Sequence, residues 1–443
     1  MLAAPAKSAI LGVVLLTLGA CAHYSRLPLN PETRYAPSLN ALRDSPAAAA
    51  PLTQADVTRL ILQNNRSLRL ASLHQTEARS QASARALPPN PSFAGSLGYL
   101  LSGAGDVTAW TAALAQPING WITLRARRAE ARATTAEVDA SLAWEAWQTI
   151  AKGRQLVVDI KLNETLLTLQ SDLAKTLGTQ WQTVAAAEQR GDMDATMTAP
   201  MAQAAADATL AVTETRRALA TQRRDLSALM GLSFDAPFAL ATLDPLKPLD
   251  DTKARQAIED LPAHRPDLIA LAMGYDVEDA RFRAAVLSQF PALSVGYDAS
   301  QDNSRVTNGG PSVTIDLPIF DRGRAQADAQ GATRQRLHDE YGNRVADATD
   351  EARALLAASA ISQKDLRELE RSAAMTPDRA REAADALARG DLERGVFTAL
   401  KIASLSRRID ALKTELAVRE QRIALETLLG IGMPAFVIDK EPN

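Results

Sequence analysis

The chain has 443 residues, of which 46% are hydrophobic, 23% are charged and only 4% are aromatic, and its formal net charge is −3. This balance argues against a nucleic-acid partner, which needs a strong basic excess. The single cysteine excludes a disulfide within one chain, and the four scattered histidines do not make a Cys/His zinc cage, so we predict neither a metal site nor a cofactor.

The first twenty residues have the features of a secretory signal peptide. Their apolar stretch, from Ile10 to Leu18, is too short to span a bilayer. It leads into Leu18-Gly19-Ala20-Cys21, which resembles a bacterial lipobox. We therefore expect residues 1–20 to be removed and Cys21 to be lipidated, which would anchor the chain to outer-membrane lipid. The alternative is an inert cysteine after an ordinary signal.

Most of the remaining chain consists of two copies of one unit about 200 residues long. Five landmarks recur in the same order with nearly constant spacing. Because this period is far longer than that of a solenoid, it indicates a duplicated supersecondary unit. The landmark pairs are Asn65 and Arg265, Pro91 and Pro291, Pro117-Ile118 and Pro318-Ile319, Arg190-Gly191-Asp192 and Arg389-Gly390-Asp391, and Met230-Gly231 and Leu429-Gly430.

Each copy opens with a predicted helix, at about 56–86 and 267–288, and continues with two strand-like runs. These runs carry almost no charge and are long enough to cross a membrane as tilted strands. We expect hairpin connectors between them, at 102–106 and, in the second copy, at 301–311, which includes Asn308-Gly309-Gly310. The four predicted strands are 92–101, 107–116, 292–300 and 312–317.

A long helix follows in each copy, predicted at about 123–188 and 324–388. At 1.5 Å per residue, about 65 residues extend roughly 100 Å. Leucines at heptad-like spacing, from Leu162 to Leu177, indicate coiled-coil packing. A turn with Gly191 or Gly390 then reverses the chain into a shorter helix. We expect the first and the returning helix of each copy to stack end to end beside the long one.

The predicted fold class is mainly α with a membrane β-barrel. The repeat gives four β-strands and long coiled-coil-like helices in each chain. The predicted segments are a signal peptide at 1–20, a lipidated N-terminal segment at 21–52, a first repeat at 53–232, a linker or equatorial segment at 233–262, a second repeat at 263–432 and a C-terminal tail at 433–443.

Four transmembrane strands cannot close on themselves, because two edges of unpaired backbone would face lipid. The sheet must therefore close with other copies of the chain. A homotrimer gives a 12-stranded barrel, which is a workable even number, and a matching bundle of helices around the same axis.

In the order and spacing of these features the chain resembles the TolC-type outer-membrane efflux channel family, over nearly all of the mature sequence. The matching features are the lipobox, the repeat, the strand pairs that end at Pro117-Ile118 and at Pro318-Ile319-Phe320, and the glycine turns. The resemblance implies a trimer with a barrel in the outer membrane of a Gram-negative bacterium and a helical tunnel in the periplasm. It also implies a periplasmic adaptor and an inner-membrane pump, of the resistance-nodulation-division type, as partners.

The run from Leu317 to Gly323, with Pro318-Ile319-Phe320-Asp321-Arg322 inside it, resembles the heavy-metal-exporting branch of that family, and so does Thr376-Pro377. The alternative is that Pro318 merely ends a strand and Pro377 merely kinks a helix. Heavy-metal cations are therefore one predicted cargo. Drug or small-molecule efflux and type I secretion are the others.

The two predicted turns between long and returning helices hold the candidate site residues. The resemblance implies that Gly191, Met193, Gly390 and Leu392 contact the adaptor, and the alternative is that they only make the turn. In a trimer, rings of carboxylates could also form a cation-favouring constriction at the narrow end. The candidates are Asp192, Asp194, Asp391 and Glu393, whose alternative role is that of solvated turn residues and helix N-caps.

No nucleophile, base and orienting acid form a recognisable motif, and no glycine-rich phosphate loop follows a strand. We therefore predict a passive duct and not an enzyme. A periplasmic coiled-coil scaffold or adaptor lipoprotein is the alternative from another class. The four uncharged strands argue against it, since a scaffold does not need them.

Overall fold

The computed structural model describes residues 24–29, 35–45, 50–103, 105, 107–317, 319–320, 322–374 and 376–433, and only the backbone of 376–380. It contains two units, Met1–Tyr35 and Ala36–Asn443. The described residues of the first unit form no regular secondary structure. Cys21 lies outside the described residues, as do Pro318 and Asp321 of the run that resembles the heavy-metal branch.

The larger unit contains both repeats and the segment between them. In the first repeat the elements are α1 (Gln54–Asn64), α2 (Arg66–Arg85), β1 (Ser92–Gly98), β2 (Ala109–Pro117), α3 (Asn119–Ile122), α4 (Leu124–Gln189) and α5 (Ala195–Met230). After them come α6 (Asp251–Glu259), α7 (Leu261–His264), α8 (Pro266–Leu287), β3 (Ala292–Gln301), β4 (Thr307–Asp316), α9 (Arg324–Ala374), α10 (Thr376–Arg389) and α11 (Arg394–Leu429).

The helix predicted at 56–86 is observed as two helices, because Asn65 adopts an extended conformation between them. Its side-chain oxygen accepts a hydrogen bond from the Leu68 backbone N–H at 3.0 Å and so caps α2. Thr53 starts α1 through a capping box with Asp56. Both α1 and α2 pack against α4.

The two repeats have long and returning helices of closely similar design. The prediction for the first long helix is confirmed within one residue, since α4 spans Leu124–Gln189. The twin predicted at 324–388 is described as two segments, α9 and α10, on either side of residue 375. Both returning helices have 36 residues. Each ends at a left-handed glycine, Gly231 or Gly430, and these two glycines are one of the repeated landmarks.

The four strands form one antiparallel sheet in the order β1-β2-β3-β4, in which β2 and β3 join the two repeats. The connector predicted at 301–311 is too long, because residues 307–311, with Gly309 and Gly310, lie within β4. The turn occurs earlier. There, an Asp302 side-chain oxygen accepts hydrogen bonds from the N–H groups of Ser304 and Val306, at 2.8 and 2.9 Å.

The helices next to the sheet repeat the order of the strands. The helix α2 packs on α4, α4 on α8, and α8 on α9, just as β1, β2, β3 and β4 pair in turn. Towards the end of α4 that is far from the sheet, its neighbours are α5 and α11 in place of α2 and α8. The expected end-to-end stacking of the short helices beside the long one is therefore confirmed. The contact between Asn65 Nδ2 and the Leu229 carbonyl, at 3.0 Å, marks where α1, α2 and α5 meet.

Two main cores hold this arrangement together. The first lies around Ile160, Leu226 and Met230, which are fully buried together with side chains of α1. The second lies around Leu268, Ala352 and Leu425. The linker predicted at 233–262 contains α6 and α7, whose Ile258 and Leu261 belong to the second core. Within the described residues, no helix is both long and apolar enough to cross a membrane.

Candidate functional site

The sheet places its large apolar side chains on one face and its carboxylates and most of its hydroxyl groups on the other. Residues that pair directly across antiparallel strands point to the same face, so Phe93, Leu114 and Tyr297 form one row. Phe93 is 74% exposed and Tyr297 is 57% exposed, so this chain does not cover them. We call this side the apolar face and define it by its large side chains, which are Phe93, Leu97, Trp110, Leu114, Leu293, Val295, Tyr297, Val313 and Ile315.

The opposite side, here called the polar face, carries small and hydroxyl side chains. The hydroxyls of Ser96 and Thr111 lie 2.7 Å apart across β1 and β2. The strands' two carboxylates, Asp298 and Asp316, are also on this face. The other hydroxyl and amide side chains of the polar face are Ser92, Ser294, Ser300, Asn308, Ser312 and Thr314. Such a sheet can contact lipid on one side and water on the other.

Both edges of the sheet are open within the described part of the chain. The strand β1 pairs only with β2, and β4 pairs only with β3. The strands have 7, 9, 10 and 10 residues, close to the length that a tilted membrane strand requires. An open edge beside an apolar face is a template for another chain.

Large apolar side chains surround the end of the sheet where all four strands connect to helices. Trp121, Phe290, Ile319 and Phe320 are exposed here, and Phe320 is 98% exposed. We call these four residues the girdle. Aromatic residues concentrate in this way where a membrane protein passes from hydrocarbon to headgroups.

The two turns at the far end of the helices, here called the tips, have the same backbone geometry. Gly191 and Gly390 both have φ of 80°, and a Cβ at either position would meet nothing within 4 Å. The next N–H reaches back five residues in each tip, to Ala187 at 2.9 Å and to Ala386 at 2.8 Å. The helices α4 and α10 therefore end in the Schellman arrangement, which requires a left-handed residue and favours glycine.

The carboxylates of the predicted constriction do not all have the same surroundings. Asp192 is paired with Arg190 at 2.9 Å, and Asp391 is paired with Arg389 at 3.0 Å. Asp194 caps α5 by accepting a hydrogen bond from Thr196 N–H at 3.1 Å, and this is the N-cap role weighed for it from the sequence. Glu393 occupies the equivalent position in front of α11 but makes no such bond.

The apolar residues at the tips also differ from what the sequence suggested. Met193 and Leu392 are partly buried. The exposed apolar side chains lie one turn further along, at Met197 (65% exposed) and Val396 (46% exposed). These two residues are in equivalent positions of the two repeats, and that repetition was the signal that could have identified them.

One buried carboxyl stands out in the helical region. Asp159 of α4 is 8% exposed and faces Glu420 of α11. Burial, followed by the charge and the hydrogen bond of Glu420, raises the pKa of Asp159 to about 7. Among the described residues, no group of three or more His, Cys, Asp and Glu side chains could hold a metal ion. The described histidines, His74, His264 and His338, lie in different helices.

Comparison with solved structures identifies the fold. A membrane protein from Pseudomonas aeruginosa has a TM-score of 0.69 at 16% identity and covers 95% of this chain and 100% of its own. The Campylobacter jejuni CmeC outer-membrane channel has a TM-score of 0.67 at 14% identity, with coverage of 95% and 96%. The open state of the Neisseria gonorrhoeae MtrE outer-membrane channel has a TM-score of 0.63 at 18% identity, with coverage of 93% and 99%.

No protein-family model and no curated protein matches the chain. The structural likeness nevertheless extends over almost the whole chain and almost the whole of each of these neighbours. The resemblance to TolC-type proteins is confirmed at the level of the fold: the chain has the fold of outer-membrane channel proteins.

Proposed function

We propose that three copies of this chain form a channel across a bacterial outer membrane and act as the exit duct of a tripartite efflux system. The observation that carries the proposal is the four-stranded sheet, with one apolar face, one polar face and two open edges. Lipid cannot satisfy the open edges, so the sheet must close with other copies. Three copies supply twelve strands, and the likeness in fold to outer-membrane channels supports this arrangement.

In this channel the apolar face contacts lipid and the polar face lines the pore. Hydroxyl groups and the carboxylates of Asp298 and Asp316 then face the water-filled interior. The helices continue the duct into the periplasm for roughly 100 Å, the length of α4. The duct is passive and needs no cofactor, because the energy comes from an inner-membrane pump. A periplasmic scaffold fits less well, since it has no use for an exposed apolar sheet.

The tips are the proposed docking site for a periplasmic adaptor. Gly191 and Gly390 shape the turns, and Met193 and Leu392 beside them are partly buried. Met197 and Val396 add exposed apolar surface that an opposing helical hairpin could bury. We expect Leu392→Asp or Met197→Asp to leave the trimer intact and to abolish cross-linking to the adaptor and export. A variant that assembles, cross-links and exports like the parent removes its residue from the site.

The tip carboxylates are the proposed constriction. Asp192 and Asp391 are each paired with an arginine of the same turn, so their rings carry less net charge than bare aspartates. Asp194 and Glu393 are then the stronger source of cation preference. We expect Asp194→Asn with Glu393→Gln to lower the preference for cations in bilayer recordings more than Asp192→Asn with Asp391→Asn does.

The proposed cargo is heavy-metal cations. The support for it is the run between Leu317 and Gly323, which resembles the heavy-metal-exporting branch. Drugs and type I secretion substrates are the alternatives. Deletion of the gene should sensitise cells to heavy-metal salts more than to dyes or detergents, and the reverse order favours drug efflux. Lipidation of Cys21 is a separate proposal, which mass spectrometry of the mature protein tests by the presence of acyl chains on an N-terminal Cys21.

A matched pair of variants on β2 tests the membrane assignment. Leu114→Arg places a charge on the apolar face and should cost up to about 2–4 kcal/mol in the bilayer, whereas Thr111→Arg places it on the polar face. We expect the Thr111 variant to insert, to give a mass of three copies in detergent and to conduct ions in planar bilayers. The Leu114 variant should fail to insert. Equal behaviour of the two variants would contradict the proposal.

A further inference from the structure

We infer that an arginine belt at the helical end of the sheet binds anionic phospholipid headgroups in the leaflet that faces the periplasm. The inference rests on the membrane insertion proposed above and names the lipid that this insertion recruits. The belt consists of six exposed arginines close to the points where strands meet helices, which are Arg125, Arg128, Arg132, Arg283, Arg322 and Arg324.

The belt arginines have no partner of their own within the described part of the chain. None of the six makes a hydrogen bond or an ion pair there. Nearby arginines differ in this respect, since Arg281 holds Glu130 and Glu278 and Arg334 holds Asp279. The fold therefore uses some arginines of this region for its own packing and leaves the belt available to an outside anion.

The charge around the belt is strongly positive. Glu130 on α4 is already paired with Arg281, and the nearest carboxylates on α8, Asp279 and Glu278, are paired with Arg334 and Arg281. Two described carboxylates near the belt have no ion pair. They are Asp316 at the end of β4 and Asp328 in α9. Asp316 lies on the polar face of the sheet, away from lipid. Six free guanidinium groups thus meet few free carboxylates, which complements an anionic surface.

The position of the belt matches the depth of the headgroups. Trp121 belongs to the girdle, which marks the boundary of the hydrocarbon. Arg125, Arg128 and Arg132 follow it at three- and four-residue spacing along one side of α4. At 1.5 Å per residue they span about 10 Å, which is enough to cross one headgroup layer of about 5–8 Å. Guanidinium groups bind phosphate oxygens in pairs, which suits a phosphodiester.

The experiment uses the full chain in nanodiscs of phosphatidylglycerol and phosphatidylethanolamine, transferred to mild detergent for native mass spectrometry. The measured quantity is the ratio of the two lipids retained by the protein. The test variant is Arg125→Gln/Arg128→Gln/Arg132→Gln. The control is Arg216→Gln/Arg217→Gln/Arg408→Gln, which removes three exposed, unpaired arginines from α5 and α11, away from the sheet. A third variant, Arg125→Lys/Arg128→Lys/Arg132→Lys, keeps the charge.

We expect the parent and the control to retain phosphatidylglycerol preferentially. In the glutamine variant the ratio of retained phosphatidylglycerol to phosphatidylethanolamine should fall at least tenfold, because each basic residue near the surface contributes a severalfold effect. The lysine variant should keep most of the preference, and 0.5 M salt should weaken it in the parent. If the glutamine triple fails to insert, the single change Arg128→Gln should lower the preference about fivefold.

Unchanged retention in the glutamine variants overturns the inference and indicates that this side of α4 faces the pore or a neighbouring copy. A parent that inserts without any preference overturns the inference alone. A parent that does not enter nanodiscs overturns the proposed function, and the inference with it.

Discussion

The long helices α4 and α9 arise from the same repeat but occupy different places in the molecule. The helix α4 packs against α1, α2, α5, α8 and α11, and buries large side chains such as Leu156 and Ile160. The helix α9 packs mainly against α8 and α11, and buries alanines such as Ala348 and Ala352. A duplicated sequence therefore gives the same element twice, whereas the neighbours of each copy are set by its position in the layer.

This difference shows where the chain remains open. The helix α4 joins the two repeats, as β2 and β3 do in the sheet, whereas α2 with β1 and α9 with β4 form the two edges. Exposed leucines lie on the α2 edge, at Leu70 and Leu73. Because the open edges of helices and strands coincide, one neighbouring copy can cover both.

The largest expected effect on stability comes from shortening buried leucines at equivalent positions of the two repeats. Leu226 and Leu425 are both fully buried, the first beside α4 and the second beside α9. We expect Leu→Ala at each to lower the free energy of unfolding by about 2–5 kcal/mol, with the larger loss at Leu226. Denaturant titration followed by circular dichroism measures this. A loss below about 1 kcal/mol at Leu226 would contradict the central place of α4.

A second comparison concerns Asp159 in α4 and Ser359, a buried polar residue in a similar part of α9. The pKa of Asp159 is raised to about 7, so the folded state binds a proton that the unfolded state releases near pH 4. The parent therefore loses stability as the pH rises from about 4 to 7. We expect Asp159→Asn to stabilise the protein by about 2 kcal/mol at pH 8 and by little at pH 4.

Thermal unfolding at both pH values measures that effect, with Ser359→Ala as the control because its hydroxyl does not titrate. A stabilisation by Asp159→Asn that is the same at pH 4 and pH 8 would show that the carboxyl is not protonated in the folded protein.

The smallest expected effect distinguishes the two tips. Asp194 caps α5, whereas Glu393 makes no cap to α11. Asp194→Ala should therefore cost about 1 kcal/mol and Glu393→Ala nearly nothing. Chemical denaturation of the two variants gives the comparison. Equal losses would indicate that both tips rely on the same interaction.

Much of this fold could be predicted from the sequence because the period of the hydrophobic pattern and the repeated glycines are local signals. The ends of α4, the tip glycines and the four strands follow from them. The remainder depends on individual hydrogen bonds. Asn65 interrupts the first helix, and Asp302 sets the turn ahead of Gly309.

The tip residues show the same limit. The pairing of Asp192 with Arg190 and the partial burial of Met193 depend on side-chain positions in the folded turn, which spacing does not reveal. Met197 and Val396 could have been found, because comparison of the two repeats places an apolar residue at the same point of both returning helices.

Cysteine cross-linking between the edge strands tests the central claim most directly. Within one chain, β1 and β4 are three strand spacings apart, about 14 Å, which is beyond the reach of a disulfide. Ala94→Cys on β1 would be combined in turn with Asn308→Cys, Ser312→Cys and Thr314→Cys on β4, with each single variant as the control for Cys21. The account predicts that one combination gives a covalent trimer on oxidation. Monomers in every combination, from protein that is inserted in membranes, would contradict closure of the sheet by neighbouring copies.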